Sequence, residues 1–166
     1  MAIDTLRRAL VFVLLCLVQA VVLNQIHLFG CATPLLYVYF VIMLPRNYPK
    51  WASLLWSFAL GLSIDMFSNT PGLAAASLTL VGALQPYLLE LFLPRDAEEN
   101  IKSSMATLGW SKFLTLTSII VFIYCVVFFS LEALNFFNWL LWLECIGGST
   151  ILTIALILTL DSLRKK

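Results

Sequence analysis

The sequence predicts an all-α polytopic membrane protein, with six transmembrane helices in a single domain covering residues 1–166. Three observations predict it. First, 61% of the 166 residues are hydrophobic and only 11% are charged, less than half the roughly 25% charge usual in soluble domains. With a mean hydropathy of +0.97, a soluble fold has too few charges to cover its apolar surface. Second, a spanning helix needs about 20 apolar residues, so six of them use about 120 and leave only short connections. Third, all ten Lys and Arg residues fall on one side of a six-span arrangement. Arg7 and Arg8 precede the first apolar run, and Arg46 and Lys50 separate the second from the third. Arg95, Lys102 and Lys112 separate the fourth from the fifth, and Arg164, Lys165 and Lys166 follow the sixth. Cytoplasmic loops retain positive charge, so both termini are expected inside.

The elements follow in order. Span one covers residues 9–23 and ends at the polar stretch Asn24-Gln25-Ile26-His27. Span two covers residues 28–44; Pro34, near its start, lacks an N–H that a first turn does not need. Pro45 and Pro49 bracket the first inside turn, which no helix continues through easily. Span three covers residues 51–67, with Trp51 and Trp56 at the inner interface, where indole rings prefer to sit. Asn69-Thr70-Pro71-Gly72 is strong turn chemistry and leads to span four, residues 73–92. Residues 94–111 form the longest loop and the only one with acidic residues, Asp96, Glu98 and Glu99, and a short interfacial helix is expected there. Span five covers residues 112–134, an outer turn covers 135–138, and span six covers residues 139–160.

Net charge is +1 and no basic run has nucleic-acid character. The terminal Arg164-Lys165-Lys166 is shorter than a polybasic lipid-binding cluster and reads as a topological anchor. Cys16 and Cys125 are expected mid-span as small hydrophobes, with Cys31 and Cys145 nearer the outer half. There is no C-x-x-C, and His27 is the sole histidine, so no metal or other cofactor is expected. The first 20 residues imitate a signal peptide. However, Val18-Gln19-Ala20 is a mediocre cleavage site, and removal would leave five spans where the charge pattern fits six. Retention is therefore expected.

Candidate site residues cluster at Gly61-Leu62-Ser63-Ile64-Asp65. Ser57, Gly61 and Asp65 recur every four residues and share a helix face. Small residues at that spacing let another helix approach closely. A carboxylate within a span is costly and should face protein or water. Asp65 is expected first as a polar lock on the outer turn, bonding to the backbone of Asn69 or Thr70 ahead of Pro71 and Gly72. Partner binding is the second reading and transport chemistry the third. The pairs Gly72/Ala76 and Ala75/Thr79 predict tight packing of spans three and four, with a substrate pocket as the alternative. Glu144 lies about five residues inside span six. With no Lys or Arg in the outer half, it has only neutral donors, water or a partner protein's cation to pair with. Glu90 and Glu132, at span ends, are expected to be solvated. No hydrolase, phosphate-loop or metal signature is present, so the chain is expected not to be an enzyme and to have no catalytic residue.

These residues carry a resemblance. The whole chain resembles the bacterial rod shape-determining MreD family, in wording close to that of Bacteroides-type bacteria. The match includes Asn24-Gln25-Ile26-His27-Leu28-Phe29-Gly30, then Ala32-Thr33-Pro34-Leu35-Leu36-Tyr37. It continues with Gly61-Leu62-Ser63-Ile64-Asp65-Met66-Phe67, Asn69-Thr70-Pro71-Gly72 and Phe92-Leu93-Pro94-Arg95. The resemblance implies an inner-membrane scaffold of the cell-elongation machinery that binds MreC and helps regulate peptidoglycan synthesis and cell shape. Its indirect partners would be MreB, RodA and a class B penicillin-binding protein. No catalytic or cofactor-binding residue comes with it. It also implies a fold similar to the six-helix substrate-binding subunits of energy-coupling-factor vitamin transporters. A small-molecule-binding transporter subunit is therefore the alternative function. Convergent polar groups in a pocket would favour transport. The aromatic outer side, with Phe29, Phe67, Phe136, Phe137 and Trp139, suits a protein interface better.

Overall fold

Long apolar segments dictate helices here, because in hydrocarbon every backbone polar group must be satisfied within the segment itself. The structure is a computed structural model that describes residues 2–22, 33–45, 48–70, 72–93, 104–133 and 138–164. Among them the elements are α1 (Ala2–Val21), α2 (Val38–Ile42), α3 (Lys50–Ser68), α4 (Leu73–Phe92), α5 (Met105–Leu108), α6 (Trp110–Glu132) and α7 (Trp139–Arg164). Four of them, α3, α4, α6 and α7, are long and apolar enough to cross a membrane. They coincide with expected spans three to six, each boundary shifting by at most a few residues. Helix α5 occupies the end of the charged loop, where a short helix was expected; residues 94–103 lie outside the described residues.

The first two expected spans differ. Helix α1 starts at Ala2 rather than residue 9 and carries Asp4, Arg7 and Arg8 in its first turns. Its apolar part, residues 9–21, rises roughly 20 Å, short of the roughly 30 Å hydrocarbon core. The second span is not one helix among the described residues. Residues 33–35 are irregular, residues 36–37 turn, and α2 has only five residues. Pro34 disfavours helical geometry at Thr33, and side chains of neighbouring helices replace the hydrogen bonds that a longer helix would have made. Residues 23–32 lie outside the described residues.

Packing follows the rule for helices in lipid, where small and polar residues meet and large apolar ones face outward. Helix α3 buries Ser53, Ser57, Leu60, Gly61, Ile64 and Asp65 on one face. Its Trp51, Leu55, Phe58, Leu62 and Met66 are exposed. Helices α3 and α4 form an antiparallel hairpin, α4 packs on α6, and α6 packs on α7. Helix α2 is buried along its whole length and touches α1, α4 and α6, so the interrupted segment forms the centre of the core.

Aromatic and cationic side chains gather at one end. Arg8 lies 4.3 Å over the Tyr48 ring, and Trp56 Nε1 donates to Tyr48 Oη at 3.0 Å. At the same end Lys50 Nζ donates to Tyr87 Oη at 3.3 Å. The Asn69–Gly72 turn lies at the opposite end of the α3–α4 hairpin.

Candidate functional site

The hairpin turn is organised by one carboxylate. Helix α3 ends at Asn69, which takes the left-handed conformation at φ 54° and donates its N–H to the Asp65 carbonyl. Thr70 donates its N–H to the same carbonyl at 3.2 Å. Helix α4 begins after Gly72, also left-handed at φ 85°, with no side-chain cap of its own. Its first turn therefore presents orphan N–H donors. Asp65 meets them from the other helix: Oδ1 accepts from Ala74 N–H at 2.9 Å and Oδ2 from Ala75 N–H at 2.9 Å. Oδ1 also accepts from Thr70 Oγ1 at 3.0 Å. The positive end of the α4 dipole favours the charge as well, which makes a carboxylate that is only 3% exposed tolerable.

The expected lock is thus present with different partners. The Asp65 backbone carbonyl, not its side chain, takes the Asn69 and Thr70 amides, while the carboxylate reaches past the turn to α4. Gly61 makes the approach possible. A Cβ built there would lie 2.5 Å from Ala75 Cα and 2.7 Å from Ala74 O. One turn back, a Cβ on Gly82 would lie 2.5 Å from Ser57 Oγ. Of the expected seam pairs, Gly72/Ala76 is corrected, since both are exposed; Ala75 of the pair Ala75/Thr79 does face α3, together with Ala74 and Gly82, while Thr79 is half-buried. The four-residue periodicity holds, but the facing stripe is rotated by roughly a quarter turn around α4.

The second constellation surrounds residues 33–44. Thr33 N–H donates to Ser149 Oγ at 3.1 Å and Leu35 N–H to Thr153 Oγ1 at 3.0 Å. Gln19 clamps the chain with both ends of its amide. Its Oε1 accepts from Leu36 N–H at 3.2 Å, and its Nε2 donates to Pro34 O at 2.9 Å. At the far end Gln85 Nε2 donates to Leu44 O at 3.2 Å. Ser149 and Thr153 sit near the middle of α7, so irregular backbone lies at mid-helix depth. That is tolerable only where protein encloses it. Polar side chains from α1, α4 and α7 supply what a continuous helix would have supplied internally.

Two further polar contacts tie α2 and its flank to the bundle. Tyr37 and Tyr124 hydrogen-bond through their hydroxyls, both fully buried, with rings edge-to-face at 5.6 Å. Tyr39 Oη donates to Asp161 Oδ1 at 2.7 Å, and Ser104 Oγ donates to Oδ2 at 3.4 Å. Asp161 is 2% exposed. None of Gln19, Tyr37, Gln85, Tyr124, Ser149, Thr153 and Asp161 was singled out from sequence. The available signal was a scatter of amides, hydroxyls and one carboxylate inside apolar runs.

The remaining candidates disperse. Glu144 is exposed on α7, as are Glu90 and Glu132 at the ends of their helices. Phe67 and Trp139 are 62% and 65% exposed, and the Trp139 ring packs edge-to-face on Trp142 with centroids 6.2 Å apart. Pro71, Phe136, Phe137, Phe29, His27 and Cys31 lie outside the described residues. Cys16, Cys125 and Cys145 are buried. The chain matches no protein-family model, no curated protein and no solved structure.

Proposed function

We propose that this chain is a non-catalytic scaffold of the MreD type, seated in a bacterial inner membrane, that binds MreC and helps regulate peptidoglycan synthesis and cell shape. MreB, RodA and a class B penicillin-binding protein would be its indirect partners. One structural observation carries the reading. The polar side chains gathered around the interrupted segment are spent on that segment's own backbone, and Asp65 is spent on its own hairpin. With these two polar constellations serving the fold itself, the chain acts most simply through its exterior. The resemblance of the sequence supports the same reading.

The interrupted segment also favours a second reading, because transporters place substrate at broken helices near mid-membrane. In such sites the freed backbone groups face the substrate; here side chains of α1, α4 and α7 occupy them. The transporter-subunit reading is therefore the weaker of the two.

The topology that accompanies the proposal has six crossings with both termini cytoplasmic, on the strength of the one-sided Lys and Arg. Cysteine-accessibility labelling should find positions 47 and 100 inside and positions 69 and 137 outside. Labelling of position 69 and the C-terminus from the same side would refute it. The functional test is co-purification with MreC from native-like membranes. Failure to associate, together with saturable vitamin binding by the isolated chain, would replace the scaffold with the transporter subunit.

A further inference from the structure

Glu144 is a carboxylate that the fold does not use. It is the sixth residue of α7, exposed, and it makes no hydrogen bond or ion pair among the described residues. It lies about 7.5 Å along the helix axis from Trp139, the ring that marks the interface level of that end. Leu140, Gly147 and Ile151 continue the same face at helical spacing. Leu140 is 75% exposed and Ile151 72%, and a Cβ on Gly147 would meet nothing within 4 Å. The outward side of α1 provides the contrast. Its Leu6, Leu10, Val13, Leu14, Leu17 and Val21 are all large, apolar and exposed, as a purely lipid-facing surface should be.

A carboxylate that faces hydrocarbon is costly, and such groups pair when a partner is within reach. Among the described residues none offers a cation to Glu144. The chain's Lys and Arg residues lie at positions 7, 8, 46, 50, 95, 102, 112 and 164–166. Those with described contacts, Arg8 and Lys50, lie at the end away from the Asn69–Gly72 turn. His27 lies outside the described residues. A second copy inserted in the same direction would bring Glu144 against a surface equally poor in cations, or against its own Glu144. Charge complementarity therefore selects a different chain.

We propose that the Leu140–Glu144–Gly147–Ile151 face of α7 docks a transmembrane helix of another membrane protein, one that carries a Lys or Arg at the level of Glu144. The cation pairs with the carboxylate, Gly147 admits close approach of the backbones, and Leu140 and Ile151 flank the contact. This rests on the scaffold reading and names the surface through which a scaffold would act.

The test uses the full chain in phosphatidylcholine vesicles with fluorescent leucine-rich single-span peptides of about 20 residues. One peptide carries a single Arg at the depth of Glu144 and the other a Leu. The Arg peptide should associate about fivefold more tightly, the size of one good polar contact between helices in lipid. The preference should disappear in Glu144→Gln and persist in Glu90→Gln, which changes an exposed acid at the other end of the bundle. Gly147→Leu should weaken both peptides. Equal association of the two peptides, or a preference that survives Glu144→Gln, overturns the proposal. So does energy transfer between copies of the chain that Glu144→Gln abolishes, because it assigns the face to a second copy. Failure of the wild-type chain to bind MreC overturns only the scaffold reading, since the peptide measurement contains no MreC.

Discussion

Asp65 Oδ2 accepts the backbone N–H of Ala75 at 2.9 Å, so the last turns of one helix cap the first turn of the next. The same residue terminates α3 through its carbonyl and initiates α4 through its carboxylate. A turn built this way fixes the distance and rotation of the two helices together.

Replacing Asp65 by Leu should remove three hydrogen bonds to the carboxylate and strand two buried N–H groups. A loss of about 2–4 kcal/mol is expected, from a charged acceptor and a helix cap combined. Asp65→Asn should cost about 1 kcal/mol, because its amide keeps one acceptor oxygen. Thermal unfolding of the detergent-solubilised chain, followed by size-exclusion chromatography, measures both. An Asp65→Leu chain as stable as wild type would remove the residue from this role.

Gly61→Ala should destabilise the hairpin by about 1–3 kcal/mol through overpacking, because the added methyl meets Ala75 backbone rather than a movable side chain. Gly147→Ala should leave stability within about 0.5 kcal/mol of wild type, as expected for an open surface position. Gly82→Ala meets the Ser57 side chain, so Ser57→Gly should partly rescue it. The double-mutant cycle reads that coupling, and strictly additive effects would contradict the close approach.

Thr153→Val should orphan the Leu35 amide at the cost of about 1–3 kcal/mol. Gln19→Leu should do more damage, because it frees both the Leu36 N–H and the Pro34 carbonyl. Hydrogen exchange resolved to residues 35–36 is the direct readout. Each variant should speed exchange at its own amide, and unchanged protection in both would place the support elsewhere.

Tyr37→Phe and Tyr124→Phe should each leave one buried hydroxyl without its partner and cost about 1–3 kcal/mol. The double variant should cost less than the two singles added together, because no orphan remains. Equal additivity in unfolding measurements would mean that the hydroxyls find other partners.

The sequence by itself determined the membrane class and four of the long helices, at nearly their observed ends. Composition and run length carry that information locally, since a long apolar segment has no other way to satisfy its backbone in lipid. It also pointed to Gly61 and Asp65, through the four-residue spacing of small and polar residues. Tertiary structure alone decided where that carboxylate was used, because the Ala74 and Ala75 amides become available only when α4 folds back. It alone decided that the second apolar run would be interrupted. The run is apolar enough for a helix, and Pro34 lies at a position that a helix start tolerates. What holds it open is Gln19, Ser149, Thr153 and Gln85, three of them at least 41 residues from the atoms they bond. No window of the chain contains those groups together. The same holds for Glu144: its spacing was visible in the sequence, but only the packing of α7 on α6 decided that it would face outward.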